Sequence, residues 1–252
     1  MALHGLGLFC LEAAAGTGLL LLFFPPGTLG KGFFSLHGAI AFFFALFALL
    51  ARPAGLPPEA AAGAAFLFGL YALASHANRA ARARPLLLGA ALCAGFAMTR
   101  VAIEAPRRPG SAWTVADAAM GAVFFGAVLL VMNLGHWYLV SRSLPFRLLS
   151  RGAALFAGLA AARAALLCAA VLVNPAPEGL SALLSLEQDA LFFLFRVAWG
   201  IVGPLALCYF IWKTADMKSN QAATGLLYVA LVFVLIGELL SSYLMVATGF
   251  PA

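Results

Sequence analysis

The feature that most limits what this chain can become is the rhythm of its apolar runs. Eight of them follow one another, at about 3–24, 32–51, 59–77, 85–103, 117–140, 147–173, 187–213 and 221–247. Each is close to the roughly 20 residues that a helix needs to cross a bilayer. The breaks between them read "PPGTLGK", "RPAGLPP", "NRAARARP", "EAPRRPGS", "SRSLPFR", "NPAPEG" and "KTADMKSN", and their proline, glycine and charge end helices. With 64% hydrophobic and 10% charged residues over 252 positions, against the about 25% charged of globular chains, a water-soluble fold is excluded. The expected fold is an all-α polytopic membrane protein: one transmembrane domain over 1–252, with room for two four-helix bundles. The connections 104–116 and 174–186 are each long enough for one short surface helix. No soluble domain is expected, so chemistry on a large water-soluble substrate needs a partner subunit.

Charge is distributed unevenly between the two ends of these spans. One side collects Lys31, Arg79, Arg82, Arg84, Arg142, Arg147, Arg151, Lys213 and Lys218. The other holds Arg52, Arg100, Arg107 and Arg108, diluted by Glu59, Glu104, Asp117, Glu178, Glu187 and Asp189. Lys and Arg gather on the cytoplasmic side of membrane proteins, so both termini are expected outside. The first segment lacks the basic residues that precede a cleaved signal, its first lysine being Lys31. The net charge of +6 is thus read as a topology signal, with no nucleic-acid partner. Cys10, Cys93, Cys168 and Cys208 all lie in apolar runs without a C-x-x-C spacing, which argues against zinc or iron–sulfur ligation by this chain.

Four ionisable residues remain that no loop claims: Glu12, Arg163, Arg196 and Glu238. Charge inside a bilayer is costly and normally faces the protein interior with a partner. Counted from the outer ends of their spans, all four fall at one depth, roughly 13–15 Å in at the helical rise. Two acids and two arginines on four helices predict one neutral polar layer, suited to proton movement or to an anionic or quinone-like ligand, or else to fixing helix packing. Glu12 or Glu238 is the expected proton carrier, since a carboxyl shielded from water can exist in either protonation state. Ser241, Ser242 and Tyr243 in "LIGELLSSYL" extend a hydrogen-bonding path outward from Glu238.

The histidines lie toward the other side. His37 and His136 come out at nearly equal depth, roughly 6–8 Å in, with His76 nearer the surface and His4 on the outer side. Three readings of "GHWYL" stand together. His37 and His136 can clamp a haem b iron as axial ligands, neutral imidazole being suited to iron. One of them can donate to a quinone carbonyl beside an aromatic wall of Trp137 and Tyr138. Or the group belongs to the aromatic belt at the membrane surface.

Eight spans, no metal motif, a mid-membrane Glu/Arg layer and the stretch "ATGLLYVALVFVLIGELLSSYLM" at 223–245 together resemble the NrfD/DmsC-type membrane anchors of polysulfide and dimethyl sulfoxide reductases. The chain is shorter than many members of that group and keeps its histidines on the cytoplasmic side. The resemblance implies a quinone-interacting subunit of a respiratory oxidoreductase in the bacterial inner membrane, passing electrons to an iron–sulfur or cytochrome partner, with or without proton conduction. A haem b cytochrome subunit is the first alternative. A small-solute transporter is the second, for which Gly203 and Pro204 in "WGIVGPLALC" supply a helix break of the kind transporters place at mid-membrane.

Overall fold

The computed structural model describes residues 1–106, 112–141, 144, 147–173 and 187–251, and within them every regular element is helical. The helices are α1 (Ala2–Leu21), α2 (Pro26–Ala51), α3 (Pro58–His76), α4 (Arg84–Glu104), α5 (Ala112–Val140) and α6 (Arg147–Val173), then α7 (Glu187–Val197), a π-helical turn (Ala198–Val202), α8 (Gly203–Asp216) and α9 (Asn220–Thr248). Counting α7, the turn and α8 as one interrupted span, eight stretches are long and apolar enough to cross a membrane. The protein is therefore a multi-pass all-α membrane protein.

Proline at the first turn of α2, α3, α4 and α8 fits positions whose N–H groups have no helical partner. α2 begins ahead of the expected 32 because a short turn from Pro26 joins it through Gly30, whose φ of +74° interrupts the helix. α5 begins at Ala112, five residues before its expected start. The connection 174–186 lies outside the described residues, as do 107–111 of the connection before α5.

Two rings of four helices make up the molecule. α1 packs on α2, α2 on α3, α3 on α4 and α4 back on α1; α5, α6, α8 and α9 repeat that circuit. α1 also packs against α5 and α9, so the rings share a seam, and α1 and α5 are the most enclosed spans. Helices in lipid lack a hydrophobic drive to associate and rely on close backbone approach at small residues. Gly16 and Gly126 provide it. A methyl on Gly16 would lie 1.7 Å from the carbonyl oxygen of Ala122, and one on Gly126 would lie 2.5 Å from the carbonyl carbon of Gly16. Phe9 of α1 meets Phe125 of α5 edge-on at 5.0 Å, and Phe124 stacks on Phe156 of α6 at 5.6 Å. Large side chains such as Phe43, Phe47, Phe66, Phe96 and Tyr209 stay exposed, where lipid would cover them.

Candidate functional site: an ion cluster at the seam

Where α1 and α5 meet α6, α7 and α9, five ionisable side chains converge. Glu12, Asp117, Arg163, Arg196 and Glu238 are each at most 2% exposed. Arg163 is the hub. Its Nε donates to Glu238 Oε1 at 3.2 Å and its Nη2 to Glu238 Oε2 at 2.9 Å, the two-pronged match that guanidinium and carboxylate geometry favours. Its Nη1 donates to Asp117 Oδ1, and Nη2 also reaches Ser241 Oγ at 2.9 Å. Ser241 in turn donates to Asp117 Oδ2 at 3.2 Å. Arg196 pairs with Glu238 from the other side, Nη2 to Oε1 at 3.1 Å. Glu12 stands apart from both arginines, with Ser242 Oγ at 3.1 Å from its Oε2.

Local sequence makes room for this density of polar groups. Above the acids sits Gly121 of α5, where a methyl would lie 2.7 Å from Glu238 Oε2 and 3.3 Å from Glu12 Oε2. Beside Arg196, a methyl on Gly200 would lie 2.2 Å from Nη1 and 2.7 Å from Gly237 Cα. Pro204 has no N–H to return to the preceding turn, and the chain answers with the π-helical turn Ala198–Val202. Such turns occur often at functional sites; here it begins two residues after Arg196.

The sequence placed four of these residues in one layer, and the structure brings all four to one place. Its charge inventory needs one correction. Asp117, assigned from the sequence to a loop on the outer face, lies inside α5 and is a partner of Arg163. The helix starts at Ala112, so an acid that looked like the edge of a span is one turn inside it. Among the described residues the layer holds three acids and two arginines, not two and two.

The histidine group is dispersed. His37 is fully buried, with Nδ1 2.7 Å from the carbonyl of Phe33 and Nε2 3.1 Å from Asn133 Nδ2. A neutral ring meets both, donating from Nδ1 and accepting the amide at Nε2. His136 is exposed and lies 3.3 Å from the hydroxyl of Tyr228 on α9. Trp137 packs edge-on against Phe33 of α2 at 5.7 Å, and Tyr138 accepts the N–H of Leu149 on α6 at 3.3 Å. Three successive residues thus tie α5 to α9, α2 and α6. They do not line one wall, and His76 is an exposed residue at the end of α3. Haem does not fit His37 and His136: both nitrogens of His37 are engaged within the protein, and His136 is held on a different neighbour. His4 accepts the N–H of Ala54 at 3.3 Å. The four cysteines are free thiols, and among the described residues no group of three or more His, Cys, Asp or Glu is arranged to hold a metal ion.

Asn133 and Tyr228, the partners of the two histidines, were not singled out from the sequence. Asn133 is the polar residue of "LLVMNLG", and that isolation in an apolar run was its available signal. Replacing His37 with leucine leaves the Asn133 amide without its acceptor, which typically costs about 1–3 kcal/mol. A lowered thermal midpoint in detergent, restored in part by Asn133→Leu added to it, is the expected result.

No protein-family model, no curated protein and no solved structure matches the chain. Fold and cluster define its class: a two-ring, eight-span membrane protein built around a buried carboxylate–guanidinium centre.

Proposed function

We propose that the protein is a proton-handling integral membrane subunit of a respiratory oxidoreductase, working with quinone and with a metal-bearing electron-transfer partner. The observation that carries the reading is the cluster itself. Five ionisable groups are held away from water on five helices, and such groups inside membranes mark proton and ion paths. Glu12, Asp117 and Glu238 supply sites for a proton; Arg163 and Arg196 keep the centre polar. Quinone, the iron–sulfur or cytochrome partner, the bacterial inner membrane and the outside placement of both termini are what the family resemblance and the basic residues support. An apolar groove of about 460 Å³ between α1, α4 and α5, reaching Ala15 and Gly16 one turn from Glu12, supports access for a lipid-soluble redox molecule. When bound, quinone would supply the two-electron, two-proton chemistry. This chain's own residues would exclude water and hold protons.

The test is quinone extraction and a reduced-minus-oxidised spectrum on protein purified from native membranes with its partners. Bound quinone, no haem b band and quinol oxidation lowered roughly a hundredfold by Glu12→Gln, as for loss of an acid–base group, support the reading. A haem b band lost in His37→Ala and His136→Ala overturns the haem-free form. Absence of both quinone and haem moves the assignment to solute transport, which the interrupted seventh span beside Arg196 favours.

A further inference from the structure

We propose that Glu12 is the proton-binding residue of the cluster, a neutral carboxylic acid that donates its hydrogen bond to Ser242, while Glu238 and Asp117 stay ionised on the arginines. The inference rests on reading the cluster as a proton-handling centre and names the site within it.

Two independent observations lead there. The first is charge. Among the described residues, three carboxyls face two guanidiniums, so one negative charge is left over if all five ionise, and one proton balances them. Unpaired charge away from water is strongly disfavoured. Glu238 is contacted by both arginines, and Asp117 takes Arg163 and the hydroxyl of Ser241. No guanidinium among the described residues lies within ion-pair distance of Glu12. The other helices packed on α1 offer no compensating cation there. α2 has Lys31 near one end and His37 held by Asn133, and α4 keeps Arg84, Arg100 and Glu104 near its ends.

The second observation is hydrogen-bond supply. Ser242 Oγ has one proton and two oxygen neighbours, the backbone carbonyl of Glu238 at 3.0 Å and Glu12 Oε2 at 3.1 Å. A carbonyl oxygen only accepts, and the one serine proton can serve either it or Glu12. A neutral Glu12 that donates to Ser242 leaves the serine proton to Glu238 O, one turn back along α9, and meets all three groups. The short approach of Glu12 to the same hydroxyl is then met by a proton on Glu12. Ser241 shows a contrasting pattern: it receives from Arg163 and donates to Asp117. The contact runs from α1 to α9, so this proton sits across the seam of the two rings.

The experiment is infrared spectroscopy of the purified full chain at neutral pH, before and after exchange into D₂O. A protonated carboxyl has a carbonyl stretch distinct from that of a carboxylate and shifts on exchange. The band is expected in the wild-type protein, absent in Glu12→Gln and displaced in Ser242→Ala, with Ser241→Ala leaving it in place. Ser242→Ala keeps the test available should Glu12→Gln fail to fold. A wild-type spectrum without the band, a band that survives Glu12→Gln, or one that follows Ser241 overturns the proposal. Quinone content is scored separately on the same samples, so loss of this assignment and loss of the oxidoreductase reading are told apart.

Discussion

Arg163→Met is expected to lower stability by about 3–5 kcal/mol, the usual cost of removing one partner from a buried ion pair. The methionine fills much of the same volume, so the loss is electrostatic rather than a matter of packing. It takes the guanidinium from Asp117 and leaves Glu238 with Arg196 alone, and it removes the donor to Ser241. Thermal unfolding in mild detergent measures the effect. Arg163→Lys should recover only part of it, since an ammonium lacks the planar fork that engages both acids. Paired removal offers a sharper check. Adding Asp117→Asn to Arg163→Met removes the stranded charge and keeps the Arg196–Glu238 pair, and the double variant should be more stable than Arg163→Met alone. If Arg163→Met unfolds within about 1 kcal/mol of wild type, the range of an exposed ion pair, the cluster does not hold α5, α6 and α9 together as described.

The second large effect is steric. Gly16→Ala would place a methyl 1.7 Å from the Ala122 carbonyl, against backbone that cannot rotate away as a side chain would. Overpacking of this sort costs typically about 1–3 kcal/mol and at times more, and it pries apart α1 and α5, the two helices that carry Glu12 and Asp117. Gly158→Ala is the control. It stands in α6 with nothing within 4 Å of the new methyl, and there alanine's better helix propensity, worth up to about 1 kcal/mol in soluble helices, should leave stability equal or higher. Opposite signs for the same chemical change, read from thermal midpoints, are the expected outcome. Equal effects would mean that the α1–α5 crossing is not where the rings are locked.

Much of the architecture was legible because lipid removes choices. With no water to satisfy backbone groups, apolar runs of span length must be helices, and proline and glycine marked their ends. The layer of Glu12, Arg163, Arg196 and Glu238 could be read from depth alone, since the rise of a helix converts sequence position into distance from the membrane surface. Depth says nothing about azimuth. Asp117 was misplaced because its helix starts at Ala112, and a carboxylate near the end of a span looks the same in sequence whether it faces water or Arg163. Azimuth also decided the histidines. His37 and His136 were expected at similar depth, yet one looks to Asn133 and the other to Tyr228. The π-helical turn beside Arg196 was foreshadowed by Gly203 and Pro204, but the contact it permits, Gly200 against Gly237, depends on a neighbouring helix that the local sequence does not specify.

Proton movement along the seam between the two rings is the property on which the proposed function turns. It is tested most directly in proteoliposomes enclosing a pH-sensitive dye, with a potassium gradient and valinomycin imposing the driving voltage. Wild-type protein should speed the internal pH change well above empty liposomes, while Glu12→Gln should return it to that background. Wild-type vesicles as tight as empty ones, or a variant that conducts as well as wild type, would contradict the account.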